Sequence, residues 1–250
     1  MPEIARILIL GGTAEARHLA ARLAEDSRFQ VATSLAGATR HPVEIAGDTR
    51  RGGFGGVDGL VRYFRDRAVD LVVDATHPFA ATMSRHAVEA CASAGVARLV
   101  VERSAWVPVS EDRWVDVADT AAAAARLPEM GRRVLLTIGR QEIDAFRDCA
   151  DVWFLIRSID PPKTPPRLPA YRMISARGPF ELEDERKLLV ENRIDCVISK
   201  NSGGADTYAK IEAARGLGLP VLMIARPSPP PGERVACIED ALAWIDSRFA

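Results

Sequence analysis

Short apolar runs alternate with amphipathic stretches along nearly the whole chain, and this alternation most restricts its fold. Candidate strands, rich in Val, Ile and Leu, lie at 5–10, 29–33, 70–73, 97–101, 133–138, 152–156, 195–199 and 220–224. Candidate helices lie between them at 14–25, 57–67, 80–94, 141–149, 181–192, 204–216 and 239–248, with a further alanine-rich helix capped by Asp119 or Thr120. The alternation predicts α/β architecture with mainly parallel sheets.

The pattern weakens from about 104 to 131 and then resumes. Two α/β series of similar length predict two domains, 1–120 and 121–250, with a ligand cleft between them. The boundary is open, because a strand or terminal helix near 117–131 can pack on either half. The proline-rich stretches 160–169 and 226–232 are expected to be loops.

Composition excludes several classes of protein for this chain of 250 residues. The net charge of −1 gives no overall attraction to nucleic acid or membrane, so an anionic ligand needs local basic clusters. The four cysteines lack the spacing of a disulfide framework or metal site, and no segment approaches transmembrane length. Because the N-terminal run ARILILGGT has no features of a secretory leader, we expect a cytoplasmic protein, and a monomer is compatible with the sequence.

The first strand-to-helix turn carries Gly11, Gly12 and Thr13 in the run ILILGGTAEARHLA. Glycines let the backbone approach a pyrophosphate, which the N-terminus of the following helix can bind. The match to GxGxxG is imperfect, since Thr13 stands at the third position and Ala16 at the sixth. A tight turn without a ligand is the alternative to a dinucleotide site.

The end of the second strand favours NADP over NAD. An acid there normally binds the ribose 2′-hydroxyl of NAD. In this chain the first acid after the second strand is Glu44. Ser34 offers a hydroxyl, and the Arg40 guanidinium could pair with a 2′-phosphate. Alternatively, Arg40 is a solvated loop residue. The glycine-dense segment 47–56 lacks the ending of a P-loop and is interpreted as a flap near the cofactor or a surface hairpin.

The run VVDATHPFA places Thr76 and His77 after a buried strand, where doubly wound sheets bind ligands. His77 could donate a proton or a hydrogen bond near neutral pH. Pro78 favours an extended His77 and suits the first turn of a helix. The interpretation we favour is a rigid ledge beside the cofactor, with acid catalysis by His77 as the alternative.

The second half has its densest polar cluster in VISKNSGGADTYAK. We expect the members of this cluster to bind a carboxylate or phosphate, since donors gather at a helix start; they are Lys200, Asn201, Ser202, Gly203, Thr207 and Lys210. Residues 132–177 contain nine basic and five acidic side chains, and Arg140 ends the run LLTIGR. These features indicate a polyanionic small molecule, with a solvated basic face as the alternative.

The ordered runs LGGTAEAR, DATHPFA, LLTIGR and SKNSGG resemble the precorrin-6A reductase family of cobalamin (vitamin B12) biosynthesis. The resemblance implies an NADPH-dependent reduction of one macrocycle double bond of precorrin-6A, giving precorrin-6B, or of its cobalt-containing equivalent. It implies a polycarboxylate tetrapyrrole substrate and neither a metal nor a flavin.

This resemblance implies two Rossmann-like domains with mainly parallel sheets, of which the first binds NADPH and the second binds substrate. The cofactor residues would be Gly11, Gly12, Thr13, Ser34, Arg40, Thr76 and His77. The substrate residues would be Arg140, Lys200, Asn201, Ser202, Gly203, Thr207 and Lys210. A short-chain reductase is disfavoured, because no tyrosine is followed four residues later by lysine. A non-catalytic module that senses NADP or binds an anion is the remaining alternative.

Overall fold

The computed structural model describes residues 4–37 and 44–250. Its strands are β1 (Ala5–Leu10), β2 (Phe29–Leu35), β3 (Asp48–Arg51), β4 (Leu71–Asp74), β5 (Ala97–Val101), β6 (Arg113–Val117), β7 (Arg133–Thr137), β8 (Trp153–Ser158), β9 (Ala170–Ser175), β10 (Cys196–Lys200), β11 (Pro220–Ile224) and β12 (Arg234–Val235). Its α-helices are α1 (Ala14–Ala24), α2 (Gly56–Arg67), α3 (Ala81–Ala94), α4 (Thr120–Arg126), α5 (Leu182–Glu191), α6 (Ala209–Gly216) and α7 (Ile238–Arg248). The prediction of α/β architecture with parallel sheets is confirmed.

The chain forms two compact units, each with one six-stranded sheet. The first unit comprises the residues up to Ser104 together with Pro227–Ala250, and the second comprises Ala105–Arg226. This division differs from the expected boundary at 120, because β12 pairs with β5 and α7 packs on the first sheet. Ala241 and Ile245 of α7 are completely buried in the core of the first unit.

The first sheet has the order β12-β5-β4-β1-β2-β3, with all neighbouring strands parallel. This is the strand order of dinucleotide-binding sheets. From β1 the chain adds β2 and β3 on one side and then crosses to add β4 and β5 on the other, so the order of addition changes direction between β1 and β4. Alternate residues of β1 face opposite layers: Ile7 and Ile9 contribute to the core with α1 and α7, and Leu8 and Leu10 to the core with α2 and α3. Burial on both faces explains the continuous apolar run.

The second sheet has the order β6-β11-β10-β7-β8-β9, again parallel throughout. Counted from β7, it repeats the order of the first sheet, with β6 in the place that β12 takes there. Its direction changes between β7 and β10. One face packs against α5 and α6 through residues such as Leu189 and Ile211.

Three local expectations were wrong. The segment 141–149 is not an α-helix; it contains a 3-10 turn, Ile143–Phe146, and its buried residues Ile143, Phe146 and Cys149 are three apart, which matches the period of a 3-10 helix. The helix expected from 204 begins at Ala209, since Gly203 and Gly204 adopt φ of +67° and +76°. Residues 48–51 form the edge strand β3 instead of a loop or hairpin.

Candidate functional site

The first sheet changes direction between β1 and β4, and ligands of such sheets bind at the carboxyl ends of these strands. Gly11 follows β1, and its N–H donates to the carbonyl oxygen of Ser34 at 2.9 Å. A Cβ atom on Gly11 would lie 2.8 Å from Cγ2 of Thr33, so only glycine fits without displacement. Gly12 has φ +119°, and a Cβ atom there would meet nothing within 4 Å. The turn therefore exposes bare backbone to a ligand.

Thr13 caps helix α1 and connects it to β4. Its Oγ1 accepts from the N–H of Ala16 at 3.1 Å and donates to the carbonyl oxygen of Ala75 at 2.8 Å. Both bonds of this hydroxyl are made within the protein, and its expected contact with phosphate stays a prediction. Thr13 fixes the glycine turn against the end of β4.

Ser34, near the end of β2, is buried, and its Oγ accepts from Nη1 of Arg50 at 2.9 Å. Arg50 lies on β3 directly opposite Ser34 in the register. Arg40, the basic residue that the sequence suggested here, lies outside the described residues. Arg50 was missed because the whole glycine-dense segment 47–56 was interpreted as a loop or hairpin. Arg50 and Arg51 lie in β3, directly before the glycines.

Asp74 ends β4 and holds the following turn. This carboxylate is only 2% exposed and accepts from the Thr76 hydroxyl at 2.8 Å and the Thr76 N–H at 3.3 Å. Arg98 from β5 forms an ion pair with it, with Nη1 3.4 Å from Oδ2. Thr76 was expected beside the cofactor; its hydroxyl is engaged by Asp74 and lies 3.3 Å from that of Ser84.

His77 follows this turn and is partly buried. Its Nδ1 accepts from the N–H of Phe79 at 3.2 Å, a bond that a neutral imidazole with its proton on Nε2 can accept. An imidazolium would lose this hydrogen bond, because both of its nitrogens are donors. The geometry suits a neutral hydrogen-bond donor rather than an acid. A pocket of about 30 Å³ adjoins His77 and Asp74 and is closed by Pro227–Pro230.

The second sheet changes direction between β7 and β10, where it brings together the predicted polar cluster and Arg140. Lys200 Nζ donates to Oε1 of Glu142 at 2.5 Å, and the Thr120 hydroxyl donates to Oε2 at 2.6 Å. Lys200 therefore has an opposite charge within the protein, and its expected role as a carboxylate ligand stays a prediction. Arg140 is partly exposed, immediately beyond β7.

Asn201 also serves the protein itself. Its side-chain amide accepts from the N–H of Trp106 at 2.8 Å and donates to the Trp106 carbonyl at 3.0 Å. The indole Nε1 donates to the carbonyl of Gly204 at 2.8 Å. This clamp fixes Trp106 beside the loop that contains Ser202 and Gly203, both of which are buried.

Lys210 is 3% exposed and donates to the carbonyl oxygen of Thr207 at 2.6 Å. Its Nζ lies 4.7 Å from the ring centroid of Trp106. Burial, with a smaller repulsion from Arg157, lowers the pKa of Lys210 to about 7, against an attraction to Glu185 that raises it. Lys210 is thus buried and held by the protein, and its expected contact with a substrate carboxylate stays a prediction.

An open pocket of about 550 Å³ lies beside this loop. Aromatic side chains of Trp106, Phe180 and Tyr208 line it, together with Glu181 and Glu212. The guanidinium of Arg157 stacks on Phe180 at 4.0 Å and forms a buried ion pair with Glu185. These aromatic residues were not predicted, because each precedes a different element and no periodic pattern marks them.

Cysteine thiols, metal-binding groups and membrane-spanning helices remain to be considered. Burial raises the pKa values of the Cys91 and Cys196 thiols to about 12, so both stay protonated at neutral pH. Across residues 4–37 and 44–250, histidine, cysteine and acidic side chains form no metal-binding group. Within the same ranges, every helix is too short or too polar to span a membrane.

Comparison with known proteins identifies the family. The family model "Precorrin-6x reductase CbiJ/CobK" matches residues 6–246. A curated relative from Rhodococcus erythropolis, named precorrin-6A reductase, is 51% identical over 96% of this chain and 97% of its own. A relative from Priestia megaterium named cobalt-precorrin-6A reductase is 27% identical over 88% of this chain and 90% of its own.

A solved structure described as CobK precorrin-6A reductase is 45% identical and covers 98% of each chain with a TM-score of 0.92. The match therefore extends to both units and both strand orders described above. This chain belongs to the precorrin-6x reductase CbiJ/CobK family.

Proposed function

We propose that this protein catalyses the NADPH-dependent reduction of precorrin-6A to precorrin-6B in cobalamin biosynthesis. The observation that carries the proposal is the 51% identity to a precorrin-6A reductase over 96% of the chain. The reaction consumes one hydride from NADPH and one proton, and one double bond of the macrocycle becomes a single bond.

The first unit supports binding of the dinucleotide. Its strand order is that of dinucleotide-binding sheets, and its glycine turn offers open backbone at the point where the sheet changes direction. Gly11 and Gly12 would hold the pyrophosphate, and Thr13 would keep the turn in place through its bonds to Ala16 and Ala75. The nicotinamide, when bound, supplies the hydride.

The second unit supports binding of the substrate carboxylates. Arg140 and the loop of Ser202, Gly203 and Thr207 lie at the carboxyl ends of β7 and β10. Lys200, Asn201 and Lys210 contribute indirectly, because they hold Glu142, Trp106 and Thr207 in position. The guanidinium of Arg140 would bind a carboxylate through charge-assisted hydrogen bonds.

We assign His77 a positioning role. The bond from the Phe79 N–H to Nδ1 fixes the ring at the end of β4, and protonation of Nδ1 would break this bond. The proton of the reaction is then supplied by water or by a substrate carboxyl group.

The cobalt-free tetrapyrrole is the substrate that identity favours, since the relative named for the cobalt-containing compound is only 27% identical, against 51%. The test is to mix the purified protein with NADPH and precorrin-6A, and in parallel with cobalt-precorrin-6A, and to follow nicotinamide absorbance and the tetrapyrrole spectrum. The proposal predicts faster oxidation with precorrin-6A. NADPH binding without oxidation above the protein-free control would instead indicate a non-catalytic module.

A further inference from the structure

Arg50 is held in place by neutral oxygen atoms. Its Nη1 donates to Ser34 Oγ at 2.9 Å and to the carbonyl of Gly52 at 2.8 Å, and its Nη2 donates to the carbonyl of Gly53 at 3.1 Å. Within residues 4–37 and 44–250, no carboxylate forms an ion pair with this guanidinium. Its positive charge is therefore fixed in position but not neutralised by these residues.

Other shielded arginines of the first unit differ from Arg50 in this respect. Arg98 pairs with Asp74 at 3.4 Å, and Arg103 pairs with Glu15 at 2.7 Å. A partly buried charge without an opposite charge is costly unless a ligand supplies one. The contrast indicates that an anion completes the surroundings of Arg50.

An aromatic ring also holds the orientation of the Arg50 guanidinium. Arg50 Cζ lies 3.8 Å from the ring centroid of Phe54, and Phe54 contacts Tyr63 edge-on at 5.2 Å between centroids. Helix α2 starts directly after this segment, with Gly55 at its N-cap and no side-chain hydrogen bond to the cap. The guanidinium is thus held close in sequence to the N-terminus of α2, and helix N-termini favour anions.

Arg50 lies at the position that selects between dinucleotides in this type of sheet. Ser34 accepts from Arg50 through Oγ and from the Gly11 N–H through its carbonyl, so one residue joins the guanidinium to the glycine turn. At this end of β2 an acid recognises the 2′-hydroxyl of NAD, and an arginine accommodates the 2′-phosphate of NADP. No acidic residue occurs between Ser34 and Glu44.

We propose that Arg50 binds the ribose 2′-phosphate of NADPH and so determines the preference for NADPH over NADH. This inference rests on the proposed function for the choice of a dinucleotide, and it identifies the residue that makes the selection. Ser34, Phe54 and the carbonyls of Gly52 and Gly53 position the guanidinium. The phosphate supplies the charge that the described residues lack.

The experiment measures binding of two fragments, 2′,5′-ADP and 5′-ADP, to the full-length protein by titration calorimetry. Wild-type protein is expected to bind 2′,5′-ADP more tightly. Arg50→Ala should weaken 2′,5′-ADP by about 10- to 100-fold, the range for charge-assisted hydrogen bonds, and change 5′-ADP by less than about twofold. Arg50→Gln, which keeps a polar side chain but has no charge, should show the same loss. The second variant keeps the test valid if Arg50→Ala fails to fold.

Arg51→Ala is the matched control, because this exposed neighbour changes the net charge equally and has no described contact with Ser34. It should retain the preference for 2′,5′-ADP. Equal weakening of both fragments by Arg50→Ala would overturn the inference, since that result reports a structural role. Loss of the preference in Arg40→Ala but not in Arg50→Ala would overturn it as well.

Reductase activity of the wild-type protein separates the two proposals. If the protein does not reduce precorrin-6A but distinguishes the fragments through Arg50, the reductase proposal fails and this inference stands. If the protein is an active reductase and Arg50→Gln keeps the preference, only this inference fails. A wild-type protein with no preference between the fragments contradicts this inference.

Discussion

The hydroxyl of Thr13 and the carboxylate of Asp74 hold the two strand ends where a dinucleotide would bind. Thr13 donates to the carbonyl of Ala75, and Asp74 accepts from Thr76 on the other side of the same residue. These bonds fix the backbone at the ends of β1 and β4. At the residue scale, function depends on such positioning as much as on direct contact.

For His77 we predict that acid catalysis is absent. A general acid contributes about 10²- to 10⁴-fold to the rate, so its loss would be large. Because Nδ1 accepts from Phe79, we expect His77→Ala to reduce kcat by less than about tenfold and to leave the pH profile of kcat unchanged. Steady-state kinetics from acid to alkaline pH test this. The disappearance of an ionisation from the profile, together with a loss above a hundredfold, would show that His77 is the acid.

Lys210 should make stability depend on pH in a defined direction. Its pKa is about 7 in the folded protein and near 10.5 in the unfolded chain, so the unfolded state binds more protons between these values. The free energy of unfolding contributed by Lys210 therefore rises with pH from about 7 to 10. Below pH 7 both states are charged, and the full cost of the buried ammonium is present.

Urea unfolding of wild type and Lys210→Met at pH 6, 8 and 10 measures this effect. The variant should gain stability relative to wild type at pH 6 and lose that advantage by pH 10, a change on the order of a few kcal/mol. Lys187→Met, at an exposed position, is the control and should show no such trend. A relative stability that does not vary with pH would contradict the buried, weakly basic Lys210.

At the element scale, predictability from sequence follows burial. The strands β1, β4, β7 and β10 are apolar on both faces, and their positions were predicted within one or two residues. The edge strands were missed for a physical reason. β3 has the sequence DTRR and β9 alternates exposed with partly buried residues, so neither carries a continuous apolar run.

The site was predicted to the level of the loop but not the contact. Gly11 and Gly12 were recognisable because a turn that approaches a ligand requires glycine. Asn201 and Lys200 are predicted to bind substrate, and the fold adds contacts with Trp106 and Glu142 that the sequence did not indicate. The type of a polar residue predicts which hydrogen bonds it can make. Its actual partner can lie far away in sequence, as Trp106 does from Asn201.

Thr13 tests the connection between α1 and β4. We expect Thr13→Val, which keeps the shape and removes the hydroxyl, to lower the free energy of unfolding by about 1–3 kcal/mol, from loss of the cap and of the bond to Ala75. Thr13→Ser should lose less than half as much, because the hydroxyl remains. Urea unfolding provides the measurement. Equal losses in the two variants would show that the methyl group, not the hydroxyl, matters.

At the scale of the whole molecule, the two sheets share one strand order but recruit their sixth strand differently. β6 precedes the rest of the second sheet in the chain, whereas β12 of the first sheet follows the entire second unit. The proline-rich segment 226–232 connects β11 of the second sheet to β12 of the first sheet. Sequence periodicity finds each element, but it does not tell which sheet a terminal strand joins, and this explains the displaced domain boundary.

The C-terminal helix should therefore be essential to the first unit. Ile245 is completely buried there, so Ile245→Ala should destabilise the protein by about 2–4 kcal/mol through lost contacts and a cavity. Val190→Ala, at a position that is 57% exposed, should change stability by less than about 1 kcal/mol. Thermal or urea unfolding checks both. An Ile245→Ala protein as stable as Val190→Ala would contradict the placement of α7 in the first unit's core.

The central claim, reduction of precorrin-6A by hydride from NADPH, is tested most directly by isotope transfer. The purified protein is incubated with precorrin-6A and NADPH carrying deuterium at the transferable position of the nicotinamide, and the tetrapyrrole product is analysed by mass spectrometry. The account predicts a product with two added hydrogen atoms, one of them deuterium from the cofactor. Unchanged precorrin-6A, or a reduced product without deuterium, would contradict it.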